Sequence, residues 1–199
     1  MICAIVLAAG CSSRMGTQKL LLPFGQSTVI SHIVKQLLNS KVTKTYVVVG
    51  HKGDQVIAEL SNKPITIIHN SEYKSGMLSS VRAGVRDISK EYDAVLIVLG
   101  DQPCITTKLI DKMVECFSLT EKKIIVPKHN GKRGHPILFS TIFKNEILTN
   151  FDDVGLRGIL RAHDSDVYEM NVSDQSVISD MDYPRDYQQE IKRYKNKKE

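Results

Sequence analysis

The first 19 residues constrain the fold of this chain more than any other stretch. An apolar run, Ile2 to Leu7, leads directly into a loop that contains Gly10, Gly16 and the cations Arg14 and Lys19. A buried strand that ends in a glycine-rich turn brings backbone N–H groups close to a bound anion, and nearby cations add positive charge. The loop therefore predicts a site for phosphate groups.

The spacing of this loop excludes two common phosphate-binding motifs. No Gly-Lys-Ser/Thr follows four residues after a glycine, as a Walker A motif requires. Gly10 and Gly16 also lack the Gly-x-Gly-x-x-Gly spacing of dinucleotide-binding folds. A Rossmann dehydrogenase is therefore disfavoured.

Apolar runs alternate with helical periodicity along the chain, which is the pattern of an α/β fold with a largely parallel sheet. Ala94 to Leu99 is a continuous apolar run that ends in Gly100 and Asp101. Open α/β sheets bind their ligands at the carboxyl ends of the strands, so we expect Asp101 to share an edge with the first loop if the two strands are parallel. Ile137 to Phe139 predicts a strand that turns back.

The motifs of the chain resemble, in order, those of one enzyme superfamily. The opening Leu-Ala-Ala-Gly, the Ser-x-Arg-Met-Gly and the lysine before Leu-Leu-Leu-Pro resemble the signature of nucleotidyltransferases that join a nucleoside triphosphate to a phosphorylated acceptor. Within them the chain most resembles the molybdenum cofactor cytidylyltransferases of the molybdopterin-guanine-dinucleotide-synthase-like family. Five later segments match in the expected order: Gly76 to Gly84, Gly100 to Pro103, Arg133 to Pro136, Asp153 to Arg157 and Asp180 to Pro184.

This resemblance implies a single-domain, three-layer α/β/α, Rossmann-like fold with a mostly parallel mixed sheet. We expect the nucleotidyltransferase domain over residues 1–190 and a basic tail over residues 191–199. The net charge is +5, but residues 190–199 hold five Lys/Arg against two Glu, so nucleic acid is a disfavoured partner. The apolar stretches fall far below the ~20 residues of a membrane span, and no charged leader precedes the first strand, so a cytoplasmic location is expected.

The four cysteines have neither a C-x-x-C pair nor the Cys/His spacing of a zinc site, which favours reduced thiols. Cys3 and Cys116 fit core packing. Cys11 and Cys104 flank the expected site, and the sequence assigns neither of them a role.

Nucleotidyl transfer places negative charge on a departing pyrophosphate, so the expected cofactor is Mg²⁺, held by one or two carboxylates and the phosphates. Asp101, at a strand end, is the first candidate ligand, with a helix cap or turn as its alternative. The resemblance places a second ligand at Asp182, although Tyr183 departs from the threonine of the common pattern. Helix capping before Pro184 competes for Asp182 and for Asp180, whose share in the metal stays open.

The resemblance assigns further roles by position. Lys19, Arg14 and Asp101 are the expected catalytic residues. Each of these roles has a structural alternative. His135 beside proline could only fix a turn, Asp153 could cap a helix, and the segment at Gly76 could be an ordinary helix start. The expected nucleotide-binding residues are Leu7, Ala8, Ala9, Gly10, Arg14, Lys19, Gly76, Ser79, Ser80 and Arg82, and the expected acceptor-binding residues are Gly134, His135, Pro136, Asp153 and Arg157.

Two further observations indicate which base the nucleotide carries and what kind of acceptor the reaction uses. Ala9 stands where guanylyl-transferring relatives have a second glycine, and its methyl group favours CTP over GTP. The sequence contains no strong general-base candidate, which suits a phosphate monoester that is already ionised near neutral pH, such as that of molybdopterin cofactor. A sugar or polyol phosphate acceptor, or a noncatalytic cofactor carrier, remains as an alternative. Transient contact with a molybdenum hydroxylase is a further expected partnership.

Overall fold

A mixed β-sheet forms the centre of the protein. The computed structural model describes residues 1–196. The main sheet has the order β10-β7-β9-β6-β1-β4-β5, and β8 pairs with β7, while β2 and β3 form a separate hairpin. The strands are β1 Ile2–Ala8, β2 Pro23–Phe24, β3 Ser27–Thr28, β4 Lys44–Val49, β5 Thr66–His69, β6 Ala94–Leu99, β7 Ile124–His129, β8 Lys132–Arg133, β9 Ile137–Ser140 and β10 Val167–Asn171.

The strands around β1 are parallel, as the sequence predicts. β1 lies between β4 and β6 and is parallel to both, and β5 continues the parallel set beyond β4. β9 runs antiparallel to both β6 and β7, so the predicted returning strand is confirmed. The sheet is therefore mixed but mostly parallel around the central strands.

Helices cover both faces of the sheet and complete three layers. Alternate residues of β1 serve the two faces: Ala4 and Val6 belong to a core with α1, α2 and α4, whereas Cys3 and Ile5 belong to a core with α3, α5 and α6. The predicted fold class is confirmed. The helices are α1 Val29–Leu38, α2 Gly53–Leu60, α3 Met77–Asp87, α4 Thr107–Leu119, α5 Lys144–Thr149, α6 Leu156–Ala162 and α7 Pro184–Asn196.

Side-chain caps start two of these helices. Thr28 accepts a hydrogen bond from the N–H of Ser31 at the start of α1, and Thr106 accepts one from the N–H of Leu109 at the start of α4.

The last helix, α7, extends through residue 196, into the predicted basic tail, and residues 197–199 of that tail lie outside the described residues. No helix within residues 1–196 is long and apolar enough to cross a membrane. All four cysteines are free thiols.

Candidate active site

The ends of β1 and β6 bring the two most informative sequence motifs together. Leu7 is the register partner of Leu99, and the N–H of Gly100 donates to the carbonyl of Leu7 over 3.0 Å. A Cβ at Gly100 would lie 2.6 Å from that same carbonyl oxygen, so only glycine allows this approach. The glycine-rich loop and Asp101 therefore leave the same edge of the sheet.

A cavity of about 330 Å³ lies between these loops. Eight of the predicted site residues line it, together with side chains that the sequence did not single out, among them Ser12, Tyr73 and Met77. Ala8, by contrast, is a buried strand residue of the core. The lining residues are Leu7, Ala9, Gly10, Ser12, Lys19, Leu20, Tyr73, Gly76, Met77, Ser80, Leu99, Asp101, Asp180 and Asp182.

The loop after β1 is folded so that Lys19 points into the cavity. Ser12, at a φ of 51°, donates from its hydroxyl to Oε1 of Gln18 over 2.8 Å. Gln18 is itself buried, and its Nε2 donates to the carbonyl of His51 over 3.2 Å. These two hydrogen bonds fix the loop immediately before Lys19, whose side chain is only 12% exposed.

Lys19 is the centre of the site's electrostatics. Its Nζ lies 2.5 Å from Oδ2 of Asp101 and 3.0 Å from Oδ1 of Asp182. Burial favours the neutral amine, but Asp101 and then Asp182 outweigh it and raise the pKa of Lys19. Arg14 is exposed and donates from Nη1 to the other oxygen of Asp182 over 2.7 Å. Two cations and two carboxylates therefore form one network.

The two carboxylates have different environments. Asp101 is 19% exposed, and its pKa is raised mainly by burial and further by the charge of Asp180, against the opposing effect of Lys19. The pKa of Asp182 is lowered, mainly by its hydrogen bond from Lys19, against a smaller opposing effect of burial. Asp101 is thus the partner that gains most from a second positive charge.

The segment from Ser179 to Tyr183 is held at nearly every residue. Ser179 donates to Oε1 of the buried Glu190 of α7 over 2.8 Å, and Met181 is fully buried. The N–H groups of Asp182 and Tyr183 both donate to Oδ2 of Asp186. Helix α7 thereby fixes the backbone that presents Asp180 and Asp182 to the cavity.

The side chains of Ser79, Ser80 and Arg82, three predicted nucleotide-binding residues of α3, do not all point to the same site. Asn70 donates from Nδ2 to the hydroxyls of Ser79 and Ser80, and only Ser80 lines the cavity. Arg82 points away and donates to the carbonyls of Ile147 and Asn150 and to Asp152. Residues two apart on a helix face different sides, so Arg82 ties α3 to the segment after α5 instead of reaching the cavity. The structure therefore does not bring Ser79 and Arg82 to the expected nucleotide site.

A second cavity of about 510 Å³ adjoins the first, and Met77, Leu99 and Asp180 line both. Of the predicted acceptor-binding residues, Gly134, His135 and Arg157 line this cavity, whereas Pro136 is buried and Asp153 is exposed, and both lie outside the lining. Burial lowers the pKa of His135, and Arg157 adds to this while Asp180 opposes it. The lining residues are Met77, Leu99, Arg133, Gly134, His135, Ile137, Val154, Gly155, Leu156, Arg157, Leu160, Arg161 and Asp180.

Asp101 and Asp182 fit a hard divalent cation in their chemistry. Both carboxylates already contact one positively charged nitrogen, and oxygen ligands are those that Mg²⁺ prefers. Within residues 1–196 no group of three His, Cys, Asp or Glu side chains is arranged to hold a metal ion. Such an ion would therefore need oxygens from a bound phosphate or water as well.

Cys104 and Cys11 lie outside both cavities. Cys104 is buried, with its Sγ 3.6 Å from the carbonyl oxygen of Glu190, and so belongs to the packing of α7. Cys11 is exposed and lines a separate small cavity beside His51. Neither thiol reaches the Lys19 network.

The fold and the paired cavities define an α/β protein with a cavity at the carboxyl edge of its parallel strands, where open sheets of this kind bind ligands. Residues 4–167 match the MobA-like NTP transferase domain. The molybdenum cofactor cytidylyltransferase of Escherichia coli (strain K12) is 33% identical over 191 residues, which cover 96% of this chain and 95% of that protein. The chain belongs to the MobA-like NTP transferase family. It is a nucleotidyltransferase, so the family and enzyme type that the sequence predicts are confirmed.

Solved structures agree with this fold. A nucleotidyl transferase from Methanothermobacter thermautotroptrophicus has a TM-score of 0.85 at 22% identity, covering 99% of both chains. A protein of Mycobacterium tuberculosis H37Rv solved in complex with manganese has a TM-score of 0.81 at 22% identity, covering 96% of this chain and 98% of that one. The matched domain ends at residue 167, so Asp180 and Asp182 come from beyond it.

Proposed function

We propose that this protein transfers CMP from CTP to the phosphate of molybdopterin cofactor, with release of pyrophosphate, and that it uses Mg²⁺. The observation that carries the proposal is the cluster of Lys19, Asp101 and Asp182 in the first cavity, which adjoins the second cavity. One cavity would hold the nucleoside triphosphate and the other the acceptor. The similarity to the molybdenum cofactor cytidylyltransferase of Escherichia coli supports the choice of base and acceptor.

The nucleotide side combines close backbone approach with positive charge. Ala9 and Gly10 line the cavity, and no atom lies within 4 Å of the position that a Cβ on Gly10 would take, which leaves room for a phosphate group. Lys19 is placed to neutralise the negative charge that develops on departing pyrophosphate, and such charge stabilisation is the main requirement of the reaction. Arg14, held beside Asp182, adds a planar donor at the mouth of the site.

Asp101 and Asp182 would hold the divalent ion. Bound there, Mg²⁺ would polarise the phosphates and offset their charge. A relative of the same fold solved with manganese supports a divalent cofactor. The Lys19 ammonium contacts both carboxylates, so the lysine, the ion and the phosphates would lie side by side in one site.

The acceptor side combines charge with apolar surface. Arg157 and Arg161 line the second cavity and suit an anionic group, whereas Arg133 in the same lining is ion-paired with Glu169 and Asp164. Met77 and Val154 are exposed hydrophobic side chains in the lining of the same cavity and suit a flat ring system. This combination favours a phosphorylated acceptor with a large apolar portion over a sugar or polyol phosphate, which carries hydroxyl groups throughout.

The test is pyrophosphate release by the purified protein with Mg²⁺. CTP, GTP, ATP and UTP are each paired with molybdopterin cofactor and, separately, with sugar phosphates. We expect release only with CTP and the cofactor. Release with GTP alone would overturn the base assignment, and release only with a sugar phosphate would overturn the acceptor.

Asp101→Asn provides the matched test of the site. The substitution keeps the shape of the side chain but removes the charge that a divalent ion needs, so turnover should be abolished while the thermal melting curve stays cooperative. Asp87→Asn, at an exposed position at the end of α3, is the control and should leave turnover unchanged. Substantial activity in Asp101→Asn would remove Asp101 from the mechanism.

A further inference from the structure

Gln102, immediately after Asp101, is a buried polar residue with a fixed backbone. Its side chain is 1% exposed. Its N–H donates to the carbonyl of Leu99 over 3.4 Å, and its own carbonyl accepts from the N–H of Ile105 over 3.2 Å. The turn after β6 therefore holds the amide in one place.

The side-chain amide of Gln102 forms a hydrogen bond to a carboxylate. Its Nε2 donates to Oδ1 of Asp180 over 3.0 Å. Its Oε1 is buried and has no hydrogen-bond partner among residues 1–196. A buried acceptor without a partner costs stability, so a glutamine at this position is not explained by folding alone.

Asp180 lies where the two cavities meet. It lines both of them, and its charge influences the pKa of Asp101 on one side and of His135 on the other. Asp180 is not a hydrogen-bond partner of Lys19, which contacts Asp101 and Asp182. It is therefore a third carboxylate beside the pair that would hold the divalent ion.

We propose that Gln102 is a positioning residue that fixes the Asp180 carboxylate at the junction of the two cavities. This inference rests on the proposed function and adds to it the part played by Asp180. Because Mg²⁺ keeps several of its waters in such sites, Asp180 contributes to ion binding through the hydration shell. Gln102 keeps that carboxylate in the orientation that the hydration shell and the acceptor both require.

A double-mutant cycle tests the proposal. The variants are Gln102→Leu, Asp180→Asn and the two combined, and thermal melting verifies that each is folded. Gln55→Leu, at an exposed position of α2, is the matched control. Two quantities are measured: the affinity for Mn²⁺ in the presence of CTP, by electron paramagnetic resonance, and kcat and KM for pyrophosphate release with CTP and molybdopterin cofactor.

We expect Gln102→Leu to lower both the Mn²⁺ affinity and kcat by about tenfold, with KM for CTP nearly unchanged. Loss of a hydrogen bond that orients a carboxylate beside a metal ion has an effect of about this size. The combined variant should be no worse than Asp180→Asn, because Gln102 acts only through Asp180. If Gln102→Leu does not fold, Gln102→Asn, which keeps an amide but is one methylene shorter, takes its place in the cycle.

Two results would overturn the proposal. One is an unchanged Mn²⁺ affinity in Gln102→Leu. The other is a combined variant in which the two losses multiply, because Gln102 would then act independently of Asp180. If the wild-type protein releases no pyrophosphate with CTP and the cofactor, the proposed function fails, but the Mn²⁺ and CTP measurements still decide the role of Gln102.

Discussion

Nζ of Lys19 lies 2.5 Å from Oδ2 of Asp101, although 82 positions separate the two residues in sequence. The contact exists because β1 and β6 are neighbours in the sheet and both loops leave its carboxyl edge. A cation and an anion from the two predicted motifs thus meet at the candidate active site.

Removal of the Lys19 charge should slow the reaction far more than it weakens binding. Lys19→Met keeps the length of the side chain but takes away the ammonium, so kcat should fall by about 10²-fold, comparable to the loss of one group that stabilises a transition-state charge. Steady-state pyrophosphate release measures kcat and KM separately. Lys35→Met, at an exposed position of α1, is the control. A change in KM alone would assign Lys19 to substrate binding.

The methyl group of Ala9 should influence which base is accepted. Ala9 is 4% exposed and lines the first cavity. It is tightly packed, because a Cβ at the neighbouring Gly50 would lie 2.9 Å from the Cβ of Ala9 and 2.7 Å from the Cβ of Tyr73. Ala9→Gly removes a methyl group from this wall, so the ratio of kcat/KM for GTP to kcat/KM for CTP should rise. The expected rise corresponds to about 1 to 3 kcal/mol of discrimination between the two bases. Ala58→Gly on α2 is the control. An unchanged ratio would show that another residue selects the base.

Gly134 should tolerate no side chain. A Cβ there would lie 2.1 Å from the carbonyl oxygen of Val177, so Gly134→Ala must displace the backbone of one segment or the other. Overpacking of this kind costs roughly 1 to 3 kcal/mol, which thermal or urea unfolding measures. Gly10→Ala is the comparison, because the same methyl group meets nothing within 4 Å there. Equal unfolding curves for Gly134→Ala and wild type would contradict the packing described.

The ion pairs of Glu169 should make stability depend on pH at the acid end. Its hydrogen bonds from Lys128 and Arg133 lower its pKa below the ordinary value of 4.5. A carboxylate with a lowered pKa in the folded state stabilises the protein above the ordinary value, and this contribution disappears as the pH falls through the lowered pKa. Glu169→Gln should therefore lower the melting temperature at pH 7, and this deficit should shrink as the pH is lowered from 7 towards 3.

The exposed Glu121 supplies the control for that measurement. Glu121→Gln should leave the melting temperature close to that of the wild type at both pH values, because surface charges without close partners contribute little. A deficit for Glu169→Gln that persists unchanged in acid would mean that shape rather than charge is responsible.

The sequence predicts the parts of the site that depend on local pattern. A strand that ends in glycine, and an apolar run that ends in Gly100 and Asp101, each indicate a position at the sheet edge, and parallel pairing then brings them together. The mostly parallel sheet and the returning strand β9 follow from the same patterns. These features depend on elements a few residues long, whose periodicity is visible in the chain.

Other parts of the site depend on packing between distant segments. The Gln102 bond to Asp180 spans 78 positions, and no local pattern specifies it. The orientation of Arg82 depends on where α5 ends, which places carbonyl groups within its reach. Tyr73 begins a short 3₁₀ helix, Tyr73–Ser75, before α3. Its place at the first cavity depends on the distant Gly50, where a Cβ would lie 2.7 Å from that of Tyr73.

The contact between Arg14 and Asp182 joins positions 168 residues apart. During synthesis, the glycine-rich loop leaves the ribosome long before its last partners exist. Lys19 and Asp101 can meet as soon as β1 and β6 pair, whereas the second carboxylate, Asp182, joins them only after the segment held by α7 has emerged.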